Sequence, residues 1–513
     1  MHELISPDAE LEAISAVFYN TPDPYGMLLC RRRELEQVVA GNLSAASRLP
    51  PELLSEIFLQ FTPARLPPKA DDPHLVLPLV CRAWRSLVSE SPELWANISI
   101  GFEEGAAVQR AIRIAEQWIS RAGPTHPLEI TAACVGAYAH TVHDNPELVS
   151  GFMEFVLSRA HRLKNADLSF PFATLHSVFN LPSGSFPLLE GITLQPLLSL
   201  DDFAPPDTDA FAPWHWPSDS KAFHSAPLIR EISYSPRPLF TSDVLGLVGA
   251  AAEGMMNDTQ TQSVVWDQHV TFAASFSESL PWAQLTAVEF SLTALTVDVW
   301  CSIFNECPRI KNLHVAIRSS PHNINPAEPI SLRWLETLVL SNFSGGAEAM
   351  LDHLLTPKLT TFGVLGQSIP LFQIISFQTR SRFELQNLIV AFPINVTEFI
   401  PFLEQFPTIK QLEIYSTPTD RFPSSFWDRI RTGKLFPALT GLVLRPSLQS
   451  LPPLVDIIEA KWENTEVWVL FVVWFTGGNA SLEEVTEELQ RLDKYDPDEF
   501  KRRVAVTVLF GPD

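Results

Sequence analysis

The sequence predicts an α+β chain: a small helical module near the N-terminus, followed by an irregular solenoid of strand–loop–helix units. Three observations support this fold class. Apolar residues recur at helical spacing over 49–99, with prolines at the expected helix starts. Apolar triplets typical of short buried strands then recur about every 25 residues. Hydrophobic residues make up 46% of the 513 residues and charged residues 19%, which is enough apolar content for a packed interior.

The helical module is predicted from residues 49–99. Leu49–Glu52 indicates the start of a first helix, because proline is tolerated in a first helical turn. The proline-rich segment 63–73 is predicted to be a loop, and a second helix would carry the apolar residues of 77–88 on one face. Ser91 and Pro92 then predict the cap and the first residue of a third, short helix. A helical module of about fifty residues is small, so we expect a partner to complete the burial of its apolar residues.

The order and spacing of these residues resemble an F-box. The motifs are Leu49-Pro50-Pro51-Glu52-Leu53-Leu54-Ser55-Glu56-Ile57-Phe58, Val80-Cys81-Arg82-Ala83-Trp84-Arg85 and Leu94-Trp95. The resemblance implies that the helices bind the Skp-type adaptor of a cullin–RING ubiquitin ligase. The adaptor-facing or supporting residues that it implies are Leu49, Pro50, Leu53, Ile57, Val80, Cys81, Trp84 and Trp95.

Two interpretations of the apolar residues in this module stay open. A short helical motif can lay its unused apolar side chains in the groove of a partner. Alternatively, Leu54, Phe58, Trp84 and Leu87 pack the core of the module itself. We expect each interpretation to hold for different residues.

The rest of the chain carries apolar residues at positions x, x+3 and x+5, the strand pattern of leucine-rich repeats. From Leu285, five successive steps measure 25, 25, 24, 26 and 24 residues. These steps lie within the window of about 20–29 residues that such repeats occupy. The ten predicted strands start at Leu163, Leu189, Ile229, Leu285, Ile310, Leu335, Leu359, Leu385, Ile409 and Leu439. The asparagine expected after each strand is missing, so the solenoid is predicted to be irregular.

Helix-like stretches at 297–304, 347–355 and 396–406 complete the strand–loop–helix units. Stacked units would give a parallel sheet on one side and helices on the other. The stretch 201–227 is predicted as a loop insertion, whose Trp214 and Trp216 either form a recognition patch or pack against the solenoid. The interval 229–285 is predicted as one degenerate repeat and a loop.

The predicted domains are an N-terminal helical segment at 1–48, the F-box-like module at 49–99, the solenoid at 100–460 and a C-terminal cap at 461–513. A helix over 106–120 and a first strand over 127–131 would begin the solenoid. The cap is predicted as a strand over 466–475, a helix and a strand over 504–510. Ser481 and Glu484 form a capping-box pattern at the start of that helix.

No pattern of a known enzyme site is recognised. The sequence has no phosphate-binding loop, dinucleotide fingerprint or nucleophile elbow. His140 and His143 have H-x-x-H spacing, but no set of Cys or acid ligands with zinc-site spacing accompanies them, so they are predicted as surface or loop histidines. Cys301 and Cys307 are predicted as small buried hydrophobic residues. We therefore expect a chain that is not an enzyme and that needs no cofactor or metal.

Charge and cysteine content exclude further classes. Lys and Arg total 36 and Asp and Glu 59, a net charge of −23, which repels nucleic-acid phosphates and anionic membranes. The run 467–475 is about half as long as a membrane-spanning helix. Met1–Glu10 has no apolar core, and five cysteines are an odd number, so neither a secretory signal nor a disulfide framework is predicted. We expect an intracellular protein, cytoplasmic or nuclear.

An F-box-like module before degenerate leucine-rich repeats resembles the F-box-like proteins abundant in mushroom-forming fungi. This layout predicts a substrate-recognition subunit of an SCF-type ubiquitin ligase. The module would bind the Skp-type adaptor and the cullin complex, and the repeats would bind an unidentified target protein. The charge of −23 predicts that the target is basic. The alternative is an adaptor-independent interaction scaffold, in which the helices of the module cap the solenoid.

Overall fold

A computed structural model describes most of the chain from residue 49 onwards. The described residues are 49–60, 64–66, 73–102, 105–135, 137–198, 220–235, 237–238, 280–318, 329–342, 346–366, 369–392, 394–415, 422–444, 451–464, 469–475, 490–491 and 504–510. They fall into two compact units. The N-terminal unit comprises Met1–Tyr138 and Leu148–Ala166, and the C-terminal unit comprises Ala139–Glu147 and Asp167–Asp513. The predicted domain boundaries stay predictions, and the segment 1–48 lies outside the described residues.

The N-terminal unit begins with short helices. Its helices are α1 (Pro51–Leu59), α2 (Pro73–Val80), α3 (Arg82–Glu90), α4 (Glu93–Ala96) and α5 (Gly105–Arg121). Its strands β1 (Ala64–Leu66), β2 (Asn97–Phe102) and β3 (Leu128–Cys134) pair in parallel in that order. Helix α6 (Ala137–Asp144) and strand β4 (Leu163–Pro171) are divided between the two units, and α7 (Ser150–Leu157) belongs to the first.

The structure corrects the prediction of one continuous second helix over 77–88. Cys81 adopts an extended conformation (φ −158°, ψ 170°) between α2 and α3, and its Sγ accepts a hydrogen bond from the Trp84 N–H. Pro78 lies inside α2 and offers no backbone N–H, which weakens the helix just before the break. The apolar spacing continued across Cys81, and therefore the pattern alone did not reveal the interruption.

Three smaller predictions for this unit were also wrong. Ser91 does not cap α4; its hydroxyl donates to the Leu87 carbonyl, and Pro92 takes the cap position. The segment 63–73 contains β1, because its backbone pairs with β2 despite the flanking prolines. The strand predicted over 127–131 is β3, and it is not the first strand of the sheet.

The C-terminal unit contains a large parallel sheet. Its helices are α8 (Phe172–Phe179), α9 (Val297–Asn305), α10 (Ala347–His353), α11 (Leu371–Ser381), α12 (Val396–Leu403), α13 (Ser424–Arg431) and α14 (Leu451–Asn464). Its strands are β5 (Gly191–Leu198), β6 (Glu231–Tyr234), β7 (Arg237–Pro238), β8 (Ala287–Thr296), β9 (Asn312–Arg318), β10 (Ile330–Ser331), β11 (Thr337–Asn342), β12 (Leu354–Leu355), β13 (Thr361–Gly366), β14 (Asn387–Ala391), β15 (Gln411–Ile414), β16 (Gly441–Leu444), β17 (Val469–Phe475) and β18 (Val504–Phe510).

The strands of this sheet follow one another in chain order. The order is β5-β6-β8-β9-β11-β13-β14-β15-β16-β17-β18, with β7 beside β5, while β10 and β12 form a separate parallel pair. A strand lies at each of the ten predicted positions, β4 included. Helices α10 and α12 end earlier than predicted, at His353 and Leu403. The strands predicted over 466–475 and 504–510 are β17 and β18; the predicted helix start at Ser481 lies outside the described residues.

Alternating burial builds the core of the C-terminal unit. Leu338 and Leu340 of β11 are fully buried, while Thr337 and Val339 are half-buried. Helix α9 packs on the buried side, where Trp300 stands against Phe290 of β8. Successive side chains of a strand point to opposite faces, so Val339 and its register partners lie on the face opposite these helices. We call that face the open face.

Gly366 ends β13 in a conformation that other residues rarely adopt, with φ +94°. A Cβ there would lie 2.5 Å from the Asn342 carbonyl oxygen on β11. We expect Gly366→Ala to lower the free energy of unfolding by about 1–3 kcal/mol, measured by chemical denaturation. The control is Gly184→Ala, which has φ +86° but nothing within 4 Å of the added Cβ, and which therefore reports the backbone strain alone. Equal losses in the two variants would contradict the clash.

Candidate functional site

Helix α1 carries apolar residues on two sides. Leu54 and Phe58 are buried, and the Phe58 ring meets the Trp84 ring of α3 edge-to-face at 4.9 Å. Leu53 and Ile57, one helical turn apart, are 51% and 43% exposed. A nine-residue helix that buries one apolar pair and exposes another is suited to pack on its own module and on a partner at once.

A second set of exposed apolar side chains lies where α2 ends. Leu79 is 65% exposed, and Val80 and Cys81 beside it are also exposed. The Arg85 Nε donates to the Pro78 carbonyl at 3.0 Å and ties α3 to the end of α2. The backbone that presents Leu79 and Val80 is therefore fixed by α3. Sequence reasoning missed Leu79, because it lies outside the motif that carried the resemblance.

Trp95 has a different environment from the other predicted site residues. Its side chain is 2% exposed, and its Nε1–H donates to the Val88 carbonyl at 2.8 Å. Its ring meets Trp118 of α5 edge-to-face, and the Arg121 guanidinium lies 4.5 Å above it. Trp95 therefore supports the module from within.

The predicted site residues thus separate by exposure. Pro50, Leu53, Ile57, Val80 and Cys81 are exposed, Leu49 and Trp84 are half-buried and Trp95 is buried. Of the predicted core residues, Leu54 and Phe58 are buried and Leu87 is half-buried. The core-packing interpretation therefore holds for Leu54 and Phe58, and Leu53, Ile57 and Val80 keep exposed apolar surface. Their contact with an adaptor stays a prediction.

Comparison with known families adds to this geometry. Residues 46–101 match the F-box-like family. The chain therefore contains an F-box-like region, and such a region indicates a role in protein interaction. The match covers α1–α4, β1 and most of β2. No curated protein matches the chain.

The open face of the C-terminal unit holds a polar cluster that sequence reasoning missed. Glu289 of β8 accepts a hydrogen bond from Ser233 Oγ at 2.7 Å, and His314 Nδ1 lies 3.4 Å from its other carboxylate oxygen. The contact with His314 is the largest cause that lowers the pKa of Glu289; burial opposes it and Ser233 adds to it. The sequence could have revealed this cluster, because Glu289 and His314 occupy the same strand position, x+4, in successive predicted repeats.

His314 Nε2 also lies 3.2 Å from Ser341 Oγ, so Glu289, His314 and Ser341 stand in the order of a hydrolytic triad. Ser341 is buried at 3% exposure, however. Its strand β11 lies between β9 and β13, so backbone N–H groups are used in strand pairing and form no oxyanion hole there. The arrangement holds a charged carboxylate instead of activating a nucleophile.

Other predicted features can be placed within the described residues. Burial raises the pKa of Cys301 to about 11 and of Cys307 to about 12, as the prediction of buried thiols requires. His140 is exposed, and His143 contacts Asp144. No described group of three or more His, Cys, Asp or Glu side chains forms a metal site. In the same part of the chain, no helix is long and apolar enough to cross a bilayer. Trp214 and Trp216 lie outside it.

Proposed function

We propose that the chain is a substrate-recognition subunit of an SCF-type cullin–RING ubiquitin ligase. The F-box-like region binds a Skp-type adaptor, and the strand–loop–helix units of the C-terminal unit, as leucine-rich repeats of a solenoid, bind a target protein. The chain itself catalyses nothing and works inside the cell. Its contribution is proximity, because tethering raises the effective concentration of target lysines near the ubiquitin-charged enzyme.

The observation that best supports this proposal is that α1 has one buried and one exposed pair of apolar side chains. Leu54 and Phe58 pack inward, whereas about half of the Leu53 and Ile57 side chains stays exposed. Because Leu53 and Ile57 are about half exposed, burying the rest of each side chain in a partner gains about 0.7–1.5 kcal/mol per residue. A match to the F-box-like family over the same helices supports the adaptor as that partner.

The alternative is an adaptor-independent scaffold, in which Ile57, Val80 and Trp84 would pack closely against the repeats. Ile57 and Val80 are exposed, and Trp84 packs on Phe58 of the same region. These positions favour the adaptor-binding proposal.

The test is binding of the full chain to a purified Skp-type adaptor by biolayer interferometry. We expect Leu53→Asp to weaken binding at least about tenfold, because the interface would have to bury a carboxylate in place of a leucine. The control is Leu148→Asp, a matched change at a leucine of the N-terminal unit that is 42% exposed. Absence of binding by the unmodified chain, or equal binding by Leu53→Asp, would overturn the proposal.

A further inference from the structure

One row of side chains crosses the open face of the C-terminal unit at the same register. Backbone pairing places its members side by side on neighbouring strands. From β5 to β16 the row reads Thr193, Ser233, Glu289, His314, Val339, Gly363, Ile389, Glu413 and Val443. Two carboxylates therefore flank an apolar centre on one continuous surface.

Each carboxylate of this row is held in place by hydrogen-bond donors. Glu289 is held by Ser233 and His314, as described above, and Glu413 Oε2 accepts from the Tyr415 hydroxyl at 2.6 Å. Among the described residues, neither carboxylate has a lysine or arginine partner. A carboxylate offers about four acceptor positions, so each retains acceptor capacity for an incoming cation.

The described charged side chains within the strands of this face have one sign, although the exposed Lys311 and Lys410 lie just before β9 and β15. The strands β5, β6, β8, β9, β11 and β13–β16 contain no lysine, and their one arginine, Arg318, ends β9 with its side chain outside the described residues. Glu231 adds a third carboxylate beside the row. The described side chains of this face therefore attract a cationic partner and repel an anionic one.

The centre of the row is apolar and tightly packed. Gly363 lies between Val339 and Ile389, and a Cβ at that glycine would stand 3.1 Å from Val339 and 3.3 Å from Ile389. Gly363 is itself buried, because the side chains of Val339 and Ile389 close over it, so these two residues form the surface at the centre of the row. An apolar side chain of the partner would pack on Val339 and Ile389, which are half-buried.

The distance between the two carboxylates determines how long a bound peptide must be to reach both. Glu289 on β8 and Glu413 on β15 are separated by five strand-to-strand steps, which amount to about 24 Å at the usual spacing. An extended peptide advances about 3.3 Å per residue, so it spans this distance with about seven residues.

We propose that the open face binds an extended basic segment of a partner protein, with one arginine or lysine at Glu289, a second at Glu413 and apolar residues between them. This inference rests on the proposed function, since it assigns target recognition to the same unit. It narrows the target to a chain whose two cations lie about seven residues apart.

The experiment titrates the full chain with fluorescent synthetic peptides at low and physiological salt. The first peptide carries two arginines about seven residues apart with valine between them; the second spaces them about three apart, and the third replaces both by glutamine. We expect the first to bind about tenfold more tightly than the others, and to weaken as salt rises.

Matched variants locate the binding. Glu289→Gln and Glu413→Gln are each expected to weaken the first peptide about tenfold, whereas Glu336→Gln should leave it unchanged. Glu336 is an exposed carboxylate at the start of β11, off the row, so this control removes the same charge elsewhere. Equal binding of all three peptides, preference for an acidic peptide, or an equal effect of Glu336→Gln would overturn the inference.

A self-association assay tests whether a second copy of the chain binds the open face instead. Concentration-dependent dimerisation lost in Glu289→Gln would assign the face to that copy and overturn the inference. Adaptor binding is measured on the same preparations. If the unmodified chain binds the adaptor but not the first peptide, this inference alone is rejected; if it binds the peptide but not the adaptor, the adaptor half of the proposed function is rejected.

Discussion

Replacing Trp300 with alanine is expected to lower the free energy of unfolding of the C-terminal unit by about 3–5 kcal/mol. Trp300 is fully buried in α9, stacks on Phe304 and donates its Nε1–H to the Ala316 carbonyl of β9 at 2.9 Å. Alanine would leave a large cavity between helix and sheet and an unsatisfied carbonyl. Chemical denaturation measures the loss, and hydrogen–deuterium exchange should locate it in β8 and β9.

A tryptophan in the same unit gives the control. Trp334 is 49% exposed, and its ring contacts the Lys358 ammonium at 3.7 Å. Trp334→Ala should change the free energy of unfolding by no more than about 1 kcal/mol, since an exposed cation–π contact contributes little. If both alanine variants lost the same stability, the packing of α9 on β8 and β9 would be wrong.

Replacing Trp95 with alanine is expected to destabilise the N-terminal unit by about 3–5 kcal/mol. The indole links three helices: it lies in α4, donates to the Val88 carbonyl near the end of α3 and packs on Trp118 of α5. Adaptor binding should fall with the folded fraction, because Trp95 does not reach the surface. Hydrogen–deuterium exchange over 82–121 and adaptor binding are measured together.

The Trp95→Phe variant tells whether Trp95 stabilises the fold or contacts the adaptor directly. Phenylalanine keeps an aromatic ring in the core but leaves the Val88 carbonyl without its side-chain donor, which costs about 1–3 kcal/mol. The adaptor affinity of this variant should stay close to that of the unmodified chain. A Trp95→Ala variant that stays folded and still fails to bind the adaptor would instead make Trp95 a contact residue.

The strands of the C-terminal unit could be predicted because their apolar spacing has one cause. In one predicted repeat, the buried residues are Leu335, Leu338 and Leu340. In the next repeat, Leu359, Phe362 and Val364 are buried at the same positions. Parallel pairing aligns these buried positions from strand to strand, so the recurring pattern predicts the strands. The open face has no such constraint. Val339, Gly363 and Glu413 share one row although their chemistry differs, and only the register brings them together.

In the F-box-like region, the pattern predicted the core residues but not the chain breaks. Leu54 and Phe58 follow helical spacing and are buried as expected. The break at Cys81 depends on one extended residue and on the hydrogen bond to its Sγ, which leave the apolar spacing unchanged. The exposure of Leu79 depends on where α2 ends. Strand β1 forms between prolines because β2 supplies a pairing partner that local sequence does not reveal.

The sheet register has a consequence for how the chain assembles. Most neighbouring strands of the C-terminal unit close loops of similar size; Glu336 and Thr360 lie 24 residues apart, and Thr361 and Asn387 lie 26 apart. Between β6 and β8 the partners Ser233 and Glu289 lie 56 residues apart. Closing that longer loop costs about 0.7 kcal/mol more in chain entropy than closing one of the shorter loops. We therefore expect the pairing of β6 with β8 to form about threefold more slowly than the pairing of strands that are joined by one of the shorter loops.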